Sequence, residues 1–393
     1  MSELSDTKCD VLIVGAGFAG AAAAVVLAGA GVNVAVVDRR ATFQADFRAE
    51  QIVGPQLALL QRLGLLESVL DGVQAVSSAV VGRAGHIIGI SHALHYGLSY
   101  ETMVNRIRAQ IPSDVPFIID TVYAAHTGPC RQRVELASGR CIDTRLLVLA
   151  TGLQRNAPAA AGITRDVVRK AHSLTVGFDI TPADPDGFKV PLLCYKPTGI
   201  ATRIDYLMAF PIDDRMRVNL FTYHRINDVW VQAVRTDPHA ALDSALPGLE
   251  HVLGRFCPVG PVQVRVNDLN RASGLVRDGV VLIGDAFRTS CPATGGGLSR
   301  VLTDTERLCR AYIPQWLASP GMGADKIARF YTDPVKQAVD AECARLAEYQ
   351  RGVASSTGLL WSMHRAKAAV RRQVGQIVGA ASVATAGLIG PTI

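Results

Sequence analysis

The sequence predicts an α/β protein in which a discontinuous parallel-sheet domain carries an inserted antiparallel β-sheet domain and is followed by C-terminal helices. Two observations support this prediction. Residues 9–38 show a strand–helix–strand pattern, and residues 279–302 show a buried strand followed by a glycine-rich helix start. Between them, residues 165–270 have patterns typical of antiparallel strands with one helix.

The N-terminal pattern is a complete βαβ unit. Residues 9–14 are a run of β-branched and aliphatic residues, which is typical of a buried parallel strand. An alanine-rich helix follows over residues 19–30, and a second buried strand over residues 32–38 ends in an acid. The first turn reads Gly15-Ala16-Gly17-Phe18-Ala19-Gly20, a G-x-G-x-x-G pattern with Asp38 placed 18 residues beyond its last glycine.

Each glycine of this turn has its own physical role. Gly15 permits a tight turn, Gly17 lets the backbone approach a pyrophosphate, and Gly20 lets helix and strand pack closely. The helix N-terminus offers free N–H groups to phosphates, and Asp38 can accept hydrogen bonds from ribose hydroxyls. The unit therefore predicts a Rossmann-like site for an adenine dinucleotide. The alternative, a glycine-rich turn of another α/β protein, leaves Asp38 unexplained.

Composition sets the class of protein. The chain has 393 residues, is 49% hydrophobic and 19% charged, and carries a net charge of +6 from dispersed basic residues. This favours a globular protein with a large core and argues against a nucleic-acid-binding face. Eight cysteines without C-x-x-C spacing or nearby histidines predict reduced thiols, a cytoplasmic location and no metal site. The polar N-terminus predicts that no secretory signal is present.

The elements follow in order along the chain. Helices are predicted over residues 54–66, 100–111, 231–246, 296–313, 324–351 and 358–383. Strands are predicted over residues 117–125, 146–150, 176–180, 205–210, 216–223 and 279–285, with hairpins over 75–90 and 132–142. The predicted dinucleotide domain comprises residues 1–74, 98–165 and 271–320. The predicted substrate domain comprises 75–97 and 166–270, and residues 321–393 form the C-terminal helices.

A second glycine-rich turn follows the strand at residues 279–285. The strand delivers Gly284 and Asp285, a loop containing Pro292 follows, and residues 295–297 are three glycines that open a helix. A carboxylate at the carboxyl end of a strand can bond a ribityl hydroxyl. The glycine run can approach a flat ring or an oxyanion through backbone N–H groups.

These two turns make the chain similar to the group A FAD-dependent monooxygenases, the para-hydroxybenzoate hydroxylase-like and ubiquinone-pathway hydroxylase-like superfamily. The first family motif, GxGxxG, matches fully. The G-D-A-x-x-x-x-x-P-x-x-G-x-G motif matches at Gly284, Asp285, Ala286, Pro292, Gly295 and Gly297. The central aspartate–glycine motif departs from the family, because Thr151 precedes Gly152 where the family has an aspartate that helps bind FAD and the nicotinamide cofactor. Arg288 and Ser299 replace the family's histidine and asparagine.

The resemblance implies FAD as the cofactor. Arg48 resembles the family arginine that reaches the FAD pyrophosphate, with an ordinary surface charge as the alternative, and Arg106 resembles the arginine near the ribityl chain. The cofactor-binding residues implied are Gly15, Gly17, Phe18, Ala19, Gly20, Asp38, Arg39, Arg48, Arg106, Gly152, Gly284, Asp285, Gly295, Gly297 and Leu298. The residues implied to lie close to the flavin ring are Pro292, Gly295, Gly296 and Gly297, and none of them is an acid or base.

The resemblance also implies a reaction. The family hydroxylates small aromatic or quinone-like molecules with O2 through a C4a-hydroperoxyflavin, with NADPH or NADH as reductant. Substrate is expected between the flavin and the inserted sheet, at Tyr206, Met208, Phe221 and Tyr223, with the core of the β domain as the alternative. His224 is a candidate general base for a phenol substrate, with a solvated loop histidine as the alternative. Cys291, beside Pro292, is a candidate for a position near the flavin, with a small side chain that only fills space as the alternative.

Three other functions stay open. A flavin-dependent reductase or dehydrogenase of a lipid or isoprenoid shares the scaffold, as do halogenases and non-catalytic flavin-binding proteins. The W-x-W-x-I-P motif of halogenases is absent, since Trp316 stands alone. Residues 374–391 lack charge and follow several cations, which predicts a packed or frayed terminal helix, with peripheral membrane contact as the alternative for a lipophilic substrate.

Overall fold

The computed structural model describes residues 7–365 of the chain. Its strands are β1 (Thr7–Val14), β2 (Val34–Asp38), β3 (Ala49–Ile52), β4 (Ala75–Val76), β5 (Ala79–Arg83), β6 (His86–Ser91), β7 (His95–Ser99), β8 (Phe117–Ile119), β9 (Val122–His126), β10 (Gln132–Leu136), β11 (Cys141–Leu149), β12 (Thr164–Pro182), β13 (Leu193–Tyr195), β14 (Ile204–Ile212), β15 (Arg215–Thr222), β16 (Phe256–Ser273) and β17 (Val280–Leu282). Its α-helices are α1 (Phe18–Gly29), α2 (Gly54–Leu63), α3 (Leu66–Leu70), α4 (Tyr100–Arg108), α5 (Asn156–Ala160), α6 (Val229–Thr236), α7 (Pro238–Ala245), α8 (Leu249–Leu253), α9 (Gly296–Glu306), α10 (Ile313–Leu317), α11 (Ala324–Tyr331) and α12 (Pro334–Ser355).

The first sheet has β1 near its centre, parallel to β2 and β11. β8 extends it in parallel beyond β2, and β17 pairs in parallel with the second half of β11. β9 and β10 add an antiparallel edge on the first half of β11. Neighbouring residues of β1 alternate between two hydrophobic clusters, so both faces of the sheet are covered. This is the predicted Rossmann-like arrangement of strands from distant parts of the chain.

The second sheet is the inserted one, in the order β16-β12-β15-β14-β13-β5-β6. Its pairs are antiparallel except for β13 with β5, which run parallel. β12 and β16 have 19 and 18 residues and form a long ribbon that reaches from this sheet to the first one. The predicted hairpin over residues 75–90 is present as β5 and β6. A small third sheet, β3-β7-β4, packs through β7 against β14 of the inserted sheet. Its Ile52 and Leu98 belong to a hydrophobic cluster that covers one face of the first sheet.

Several predicted elements are divided in the structure. The single strand predicted over residues 117–125 is two strands, β8 and β9, and the helix predicted over 54–66 is α2 and α3, separated at Gly64 in the left-handed region. The helix predicted over 231–246 is α6 and α7, and the helix predicted over 324–351 is α11 and α12. Both of the latter breaks fall at an aspartate–proline pair, because proline disfavours a helical residue before it and starts a new helix.

The helix that begins at α9 continues to Leu317 through a π-helical segment, Arg307–Tyr312, and α10, four residues beyond the predicted end. The helix predicted over 358–383 falls largely outside the described residues, of which 359–365 are helical. The apolar segment 374–391 also lies outside them. Within residues 7–365, no helix is long and apolar enough to cross a bilayer. The same part of the chain contains no cluster of three or more potential metal ligands.

Candidate cofactor and substrate site

A cleft of about 1030 Å³ lies between the two large sheets. The carboxyl ends of the five parallel strands β1, β2, β8, β11 and β17 open onto it, which is where ligands bind in doubly wound α/β folds. The opposite wall comes from β14, β15 and β16 of the inserted sheet. The cleft therefore joins the predicted cofactor side to the predicted substrate side.

The first glycine turn has the close contacts that its motif predicts. A Cβ on Gly20 would lie 1.8 Å from the carbonyl oxygen of Gly15, so only glycine allows this helix to meet the turn. Gly15 has φ +94° and packs against the Ala150 carbonyl. A Cβ on Gly17, by contrast, would meet nothing within 4 Å in the described chain, and Gly17 lines the cleft. Gly15 and Gly20 build the turn, whereas Gly17 leaves room for a ligand.

Asp38 lies at the end of β2 and fixes the geometry of this turn. Its Oδ2 accepts a hydrogen bond from the Ala16 amide at 2.6 Å, and its Oδ1 accepts one from the Arg40 amide at 2.9 Å. The guanidinium of Arg108 lies 3.3 Å from Oδ2 and donates to the Ala16 carbonyl at 2.6 Å. Arg108 thus joins α4 to the β1–α1 turn and to the end of β2, a role that the sequence did not assign to it.

Arg106 takes a different place from the predicted one. Its Nη1 donates to the Val69 carbonyl at 2.8 Å, which ties α4 to the end of α3. Arg106 is not among the residues that line the cleft, while Arg108 is. The two arginines are two positions apart on one helix and therefore face different neighbours. Arg108 therefore lines the cleft, whereas Arg106 lies outside it, against the end of α3.

Arg48 precedes β3 and lies in the cleft. Its guanidinium is 3.9 Å from the ring centroid of Tyr100 and 2.8 Å from the Asp46 carboxylate. Glu50, two residues further on the same strand face, also lines the cleft. Burial raises the pKa of Glu50 to about 7, with Asp285 adding to the increase and Arg48 opposing it. The cleft therefore contains an acid, not singled out from the sequence, that titrates near neutral pH.

The second glycine turn meets the first one across the cleft. Gly284 has φ +63°, and a Cβ there would lie 3.1 Å from the Ala19 side chain, so the two turns touch. Gly295 also has φ +63° and faces open space. At the N-terminus of α9 that follows, the Gly296 amide donates to Thr294 Oγ1 at 3.2 Å, which leaves the next N–H groups of the first turn without a side-chain cap from Gly295. Gly296 points away from the cleft, because a Cβ there would meet Cys343. The free N–H groups of α9 can therefore face an anionic or electron-rich ligand.

The segment around Gly152 forms the third part of the cofactor side. Gly152 has φ +59° and lines the cleft together with Thr151. Arg165, at the start of β12, donates to the carbonyl oxygens of Gly152 at 2.7 Å and Asp285 at 3.3 Å. One side chain thus links the Gly152 turn to the Asp285 turn.

Most of the predicted cofactor residues meet in this cleft. Those that line it are Gly15, Gly17, Phe18, Ala19, Asp38, Arg39, Arg48, Gly152, Gly284, Asp285, Gly295, Gly297 and Leu298. Gly20 supports the turn from behind, and Arg106 lies elsewhere. Their contacts with a cofactor stay a prediction. The open Cβ positions of Gly17, Gly152 and Gly295 form a cradle that fits a long dinucleotide.

On the inserted-sheet wall of the cleft, β14 and β15 contribute mostly apolar and aromatic side chains, whereas β16 contributes mostly polar and charged ones. Tyr206, Met208 and Phe221 line the cleft, with the rings of Tyr206 and Phe221 4.8 Å apart. The Tyr206 hydroxyl donates to the Ala293 carbonyl at 2.6 Å, which joins β14 to the loop after Pro292. Pro292 also lines the cleft. These three side chains therefore lie where the sequence predicted substrate contacts, and substrate binding itself stays a prediction.

Tyr223 lies outside the cleft lining. Its hydroxyl donates to Asp205 Oδ2 at 3.3 Å, its ring packs edge-on against His172, and the guanidinium of Arg351 lies 5.3 Å from it. Burial raises the pKa of Asp205 to about 6. A bulge between Ile204 and Tyr206 turns Ile204 into the other hydrophobic cluster, so the alternating face of β14 that lies toward the cleft begins at Tyr206.

His224 and Cys291 have contacts that match their structural alternatives. His224 bonds Asp228 at 2.8 Å, stacks on Trp230 and lies away from the cleft. Cys291 lines the cleft but is 1% exposed, and burial raises the pKa of its thiol to about 11. A thiol with this pKa stays protonated at neutral pH, so Cys291 fills space beside Pro292.

Comparisons with known proteins agree with this architecture. Residues 8–108 match the family model described as FAD binding domain. The chain is 23% identical over 316 residues to digeranylgeranylglycerophospholipid reductase 1 of Methanopyrus kandleri, covering 75% of this chain and 77% of that protein.

Solved structures give the same result for the fold. The p-nitrophenol 4-monooxygenase PnpA of Pseudomonas putida DLL-E4 superposes with a TM-score of 0.64 at 18% identity, covering 94% of this chain and 98% of that one. PqsL, a probable FAD-dependent monooxygenase of Pseudomonas aeruginosa, also has a TM-score of 0.64 at 18% identity, covering 88% and 97%.

The class of protein follows from these findings. The chain shares its fold with p-nitrophenol 4-monooxygenase PnpA and with PqsL, and residues 8–108 match the FAD binding domain. The fold class and the FAD-binding domain predicted from the sequence are confirmed. The chain therefore contains an FAD binding domain over residues 8–108, within a fold whose two large sheets face each other across the cleft.

Proposed function

We propose that this protein is an FAD-dependent monooxygenase that hydroxylates a small aromatic or quinone-like substrate, with NADPH or NADH as reductant. The observation that supports it most is the single cleft in which two glycine turns face an aromatic wall. In the overall reaction, NAD(P)H supplies two electrons. One atom of O2 then enters the substrate and the other leaves as water.

The residues of the cleft suit FAD. Gly17, the N-terminus of α1 and Arg48 would hold the pyrophosphate, and Asp38 would hold the adenosine ribose. Asp285 would bond the ribityl chain, and the N–H groups after Gly295 would face the ring system. FAD, when bound, supplies the redox chemistry with O2 that the protein side chains lack.

The inserted sheet would orient the substrate and exclude water. Tyr206, Met208 and Phe221 offer an apolar, aromatic surface that suits a neutral ring. The Tyr206 hydroxyl is already bonded to Ala293, which fixes this wall relative to the loop beside Pro292. Exclusion of water from this end of the cleft would reduce the wasteful release of hydrogen peroxide in place of transfer of oxygen to the substrate.

Reduction of a lipid or isoprenoid double bond is the second candidate. It is favoured by the Methanopyrus kandleri relative, whose name describes a lipid reductase. The same apolar wall suits an isoprenoid chain. In this reaction, two electrons and two protons enter the substrate and O2 is not consumed.

The two candidates are separated by product mass and oxygen dependence. The purified, FAD-loaded protein is screened with aromatic phenols, quinones and isoprenoid lipids for stimulated NAD(P)H oxidation in air and under argon. Hydroxylation predicts a product heavier by one oxygen that forms only in air. A product heavier by two hydrogens that forms under argon would support the reductase and overturn the monooxygenase.

A further inference from the structure

A row of buried charges runs from the Asp285 turn to α12. Arg300 on α9 and Lys336 on α12 are each only 1% exposed. Asp304, which lies between them, is also 1% exposed. Buried charges lower stability unless they are paired and hydrogen-bonded. A row of them in the core therefore points to a role besides stability.

Arg300 directs its hydrogen bonds to the turn that carries Asp285. Its Nε donates to Ser290 Oγ at 2.9 Å, and its Nη1 donates to the Gly284 carbonyl at 3.4 Å. Its Nη2 donates to Asp285 Oδ1 at 3.4 Å and to the Arg288 carbonyl. One planar guanidinium therefore holds both ends of the turn and its carboxylate at once, which the single ammonium of a lysine could not do.

Arg300 is linked to α12 indirectly, through Asp304 one turn further along α9. Its Nη1 lies 3.7 Å from Asp304 Oδ2, while Asp304 Oδ1 accepts a hydrogen bond from Lys336 Nζ at 2.7 Å. Lys336 also bonds Asp340 at 3.1 Å and lies 3.8 Å above the ring of Phe287. Asp285, Arg300, Asp304 and Lys336 thus form a continuous series of opposite charges.

We propose that Arg300 is a positioning residue for the cofactor, which orients the Asp285 carboxylate toward FAD, and that α12 fixes Arg300 through Asp304 and Lys336. The Asp285 side chain keeps 36% of its surface exposed at the cleft while Arg300 binds Oδ1, so the carboxylate is held without being covered. This inference rests on the proposed role of Asp285 in binding FAD. It makes α12 part of the support of the cofactor site.

A double-mutant cycle on FAD affinity tests the proposal. FAD is titrated into the apoprotein of wild type, Arg300→Lys, Asp285→Asn and the double variant, with flavin fluorescence as the readout. Each single substitution is expected to weaken FAD binding by about tenfold, the effect of losing one charged hydrogen bond. The double variant is expected to bind no more weakly than Asp285→Asn, because Arg300 acts through Asp285.

Arg307→Met is the matched control. Arg307 follows α9 and pairs with Asp333 at the start of α12, 2.7 Å away, without touching the 284–290 turn. Its loss is expected to lower the unfolding temperature and leave FAD affinity unchanged. If Arg300→Lys fails to fold, Lys336→Met replaces it in the same cycle.

The outcomes separate this inference from the proposed function. If Asp285→Asn weakens FAD binding while Arg300→Lys binds as wild type, the positioning role is wrong and the cofactor site stands. If the two losses add in the double variant, Arg300 acts on the fold and the proposal is overturned. If Asp285→Asn binds FAD as wild type, the assignment of Asp285 itself fails.

Discussion

At the scale of single residues, Arg108 shows why motif reading alone misses part of a cofactor site. Its guanidinium donates hydrogen bonds to three backbone carbonyls, those of Ala16, Arg40 and Ala41, which belong to two separate turns. The sequence identifies the turns, but it does not show which arginine of α4 faces them. The helical period alone allows either Arg106 or Arg108 to do so.

Substitution of these two arginines should give different results. Arg108→Met is expected to weaken FAD binding by about tenfold, because the Asp38 carboxylate and the Ala16 carbonyl lose a charged partner. Arg106→Met is expected to leave FAD affinity within about twofold and to lower stability by roughly 1 kcal/mol. FAD titration and thermal unfolding of both apoproteins measure this. Equal losses of affinity would show that Arg106 also serves the cofactor.

Glu50 predicts a pH dependence. A carboxyl whose pKa is raised by burial to about 7 is neutral below that pH and charged above it. The charged groups around it are Arg48 and Asp46 before β3 and Asp285 after β17. Because the raised pKa means that the folded chain holds a proton more tightly than the unfolded one, this group's contribution destabilises the fold as pH rises from about 4.5 through 7.

We therefore expect FAD affinity to fall as pH rises through about 7, since a charged Glu50 would repel the FAD diphosphate. Glu50→Gln is expected to remove this step and to bind FAD more tightly than wild type at pH 8. FAD titrations at several pH values between 5.5 and 8.5 measure it. The interpretation fails if wild type and Glu50→Gln show the same pH profile.

At the scale of elements, Gly17 and Gly20 of the first turn have different roles, since Gly20 supports the fold and Gly17 leaves room for a ligand. Gly20→Ala is expected to destabilise the apoprotein by more than about 1–3 kcal/mol, because the new Cβ would lie 1.8 Å from a backbone oxygen. Gly17→Ala meets open space in the described chain. It is expected to fold normally and to lose FAD affinity by about tenfold or more. Circular dichroism melts and FAD titration distinguish the two effects, and a stable Gly20→Ala protein would contradict this geometry.

The elements that the sequence predicted well are those whose signals are local. The βαβ unit and the Gly284 turn combine a buried run with glycines at fixed spacing, so their fold and site follow from a few adjacent residues. The divided helices also had a local signal, which was missed. Asp237 and Asp333 each accept a hydrogen bond from a backbone amide of the next helix, with proline at its first position.

Other features could not be predicted from local pattern. The face that β14 presents to the cleft depends on the bulge before Tyr206, and one extra residue reverses the side-chain alternation. The length of the β12–β16 ribbon depends on pairing between residues about 90 apart, with Ala171 at φ +45° inside it. For this reason the substrate side was predicted less fully than the cofactor side.

At the scale of the whole molecule, contacts between distant segments hold the two walls of the cleft together. The ribbon of β12 and β16 spans both large sheets, and Arg165 at its start bridges two cofactor turns. On the far side, α12 packs against α9 and also against β14, with Ala347 in the same cluster as Tyr206 and Met208. The two walls of the cleft are therefore parts of one packed unit.

This arrangement predicts that Tyr206 couples the two walls. Its hydroxyl gives the direct hydrogen bond from β14 to the loop beside Pro292. Tyr206→Phe is expected to cost roughly 1 kcal/mol of stability and to loosen the substrate wall, so that more NAD(P)H is oxidised per molecule of product. The ratio of NAD(P)H consumed to product formed measures this uncoupling.

Tyr195→Phe is the matched control. The Tyr195 hydroxyl donates to the Pro247 carbonyl at 2.7 Å, within the inserted domain and away from the cleft. Its loss should lower stability by a similar amount and leave the coupling ratio unchanged, because no link between the two walls is broken. If both variants uncouple equally, general loosening of the inserted domain is the cause. If neither does, the Tyr206–Ala293 bond has no part in closing the substrate side of the cleft.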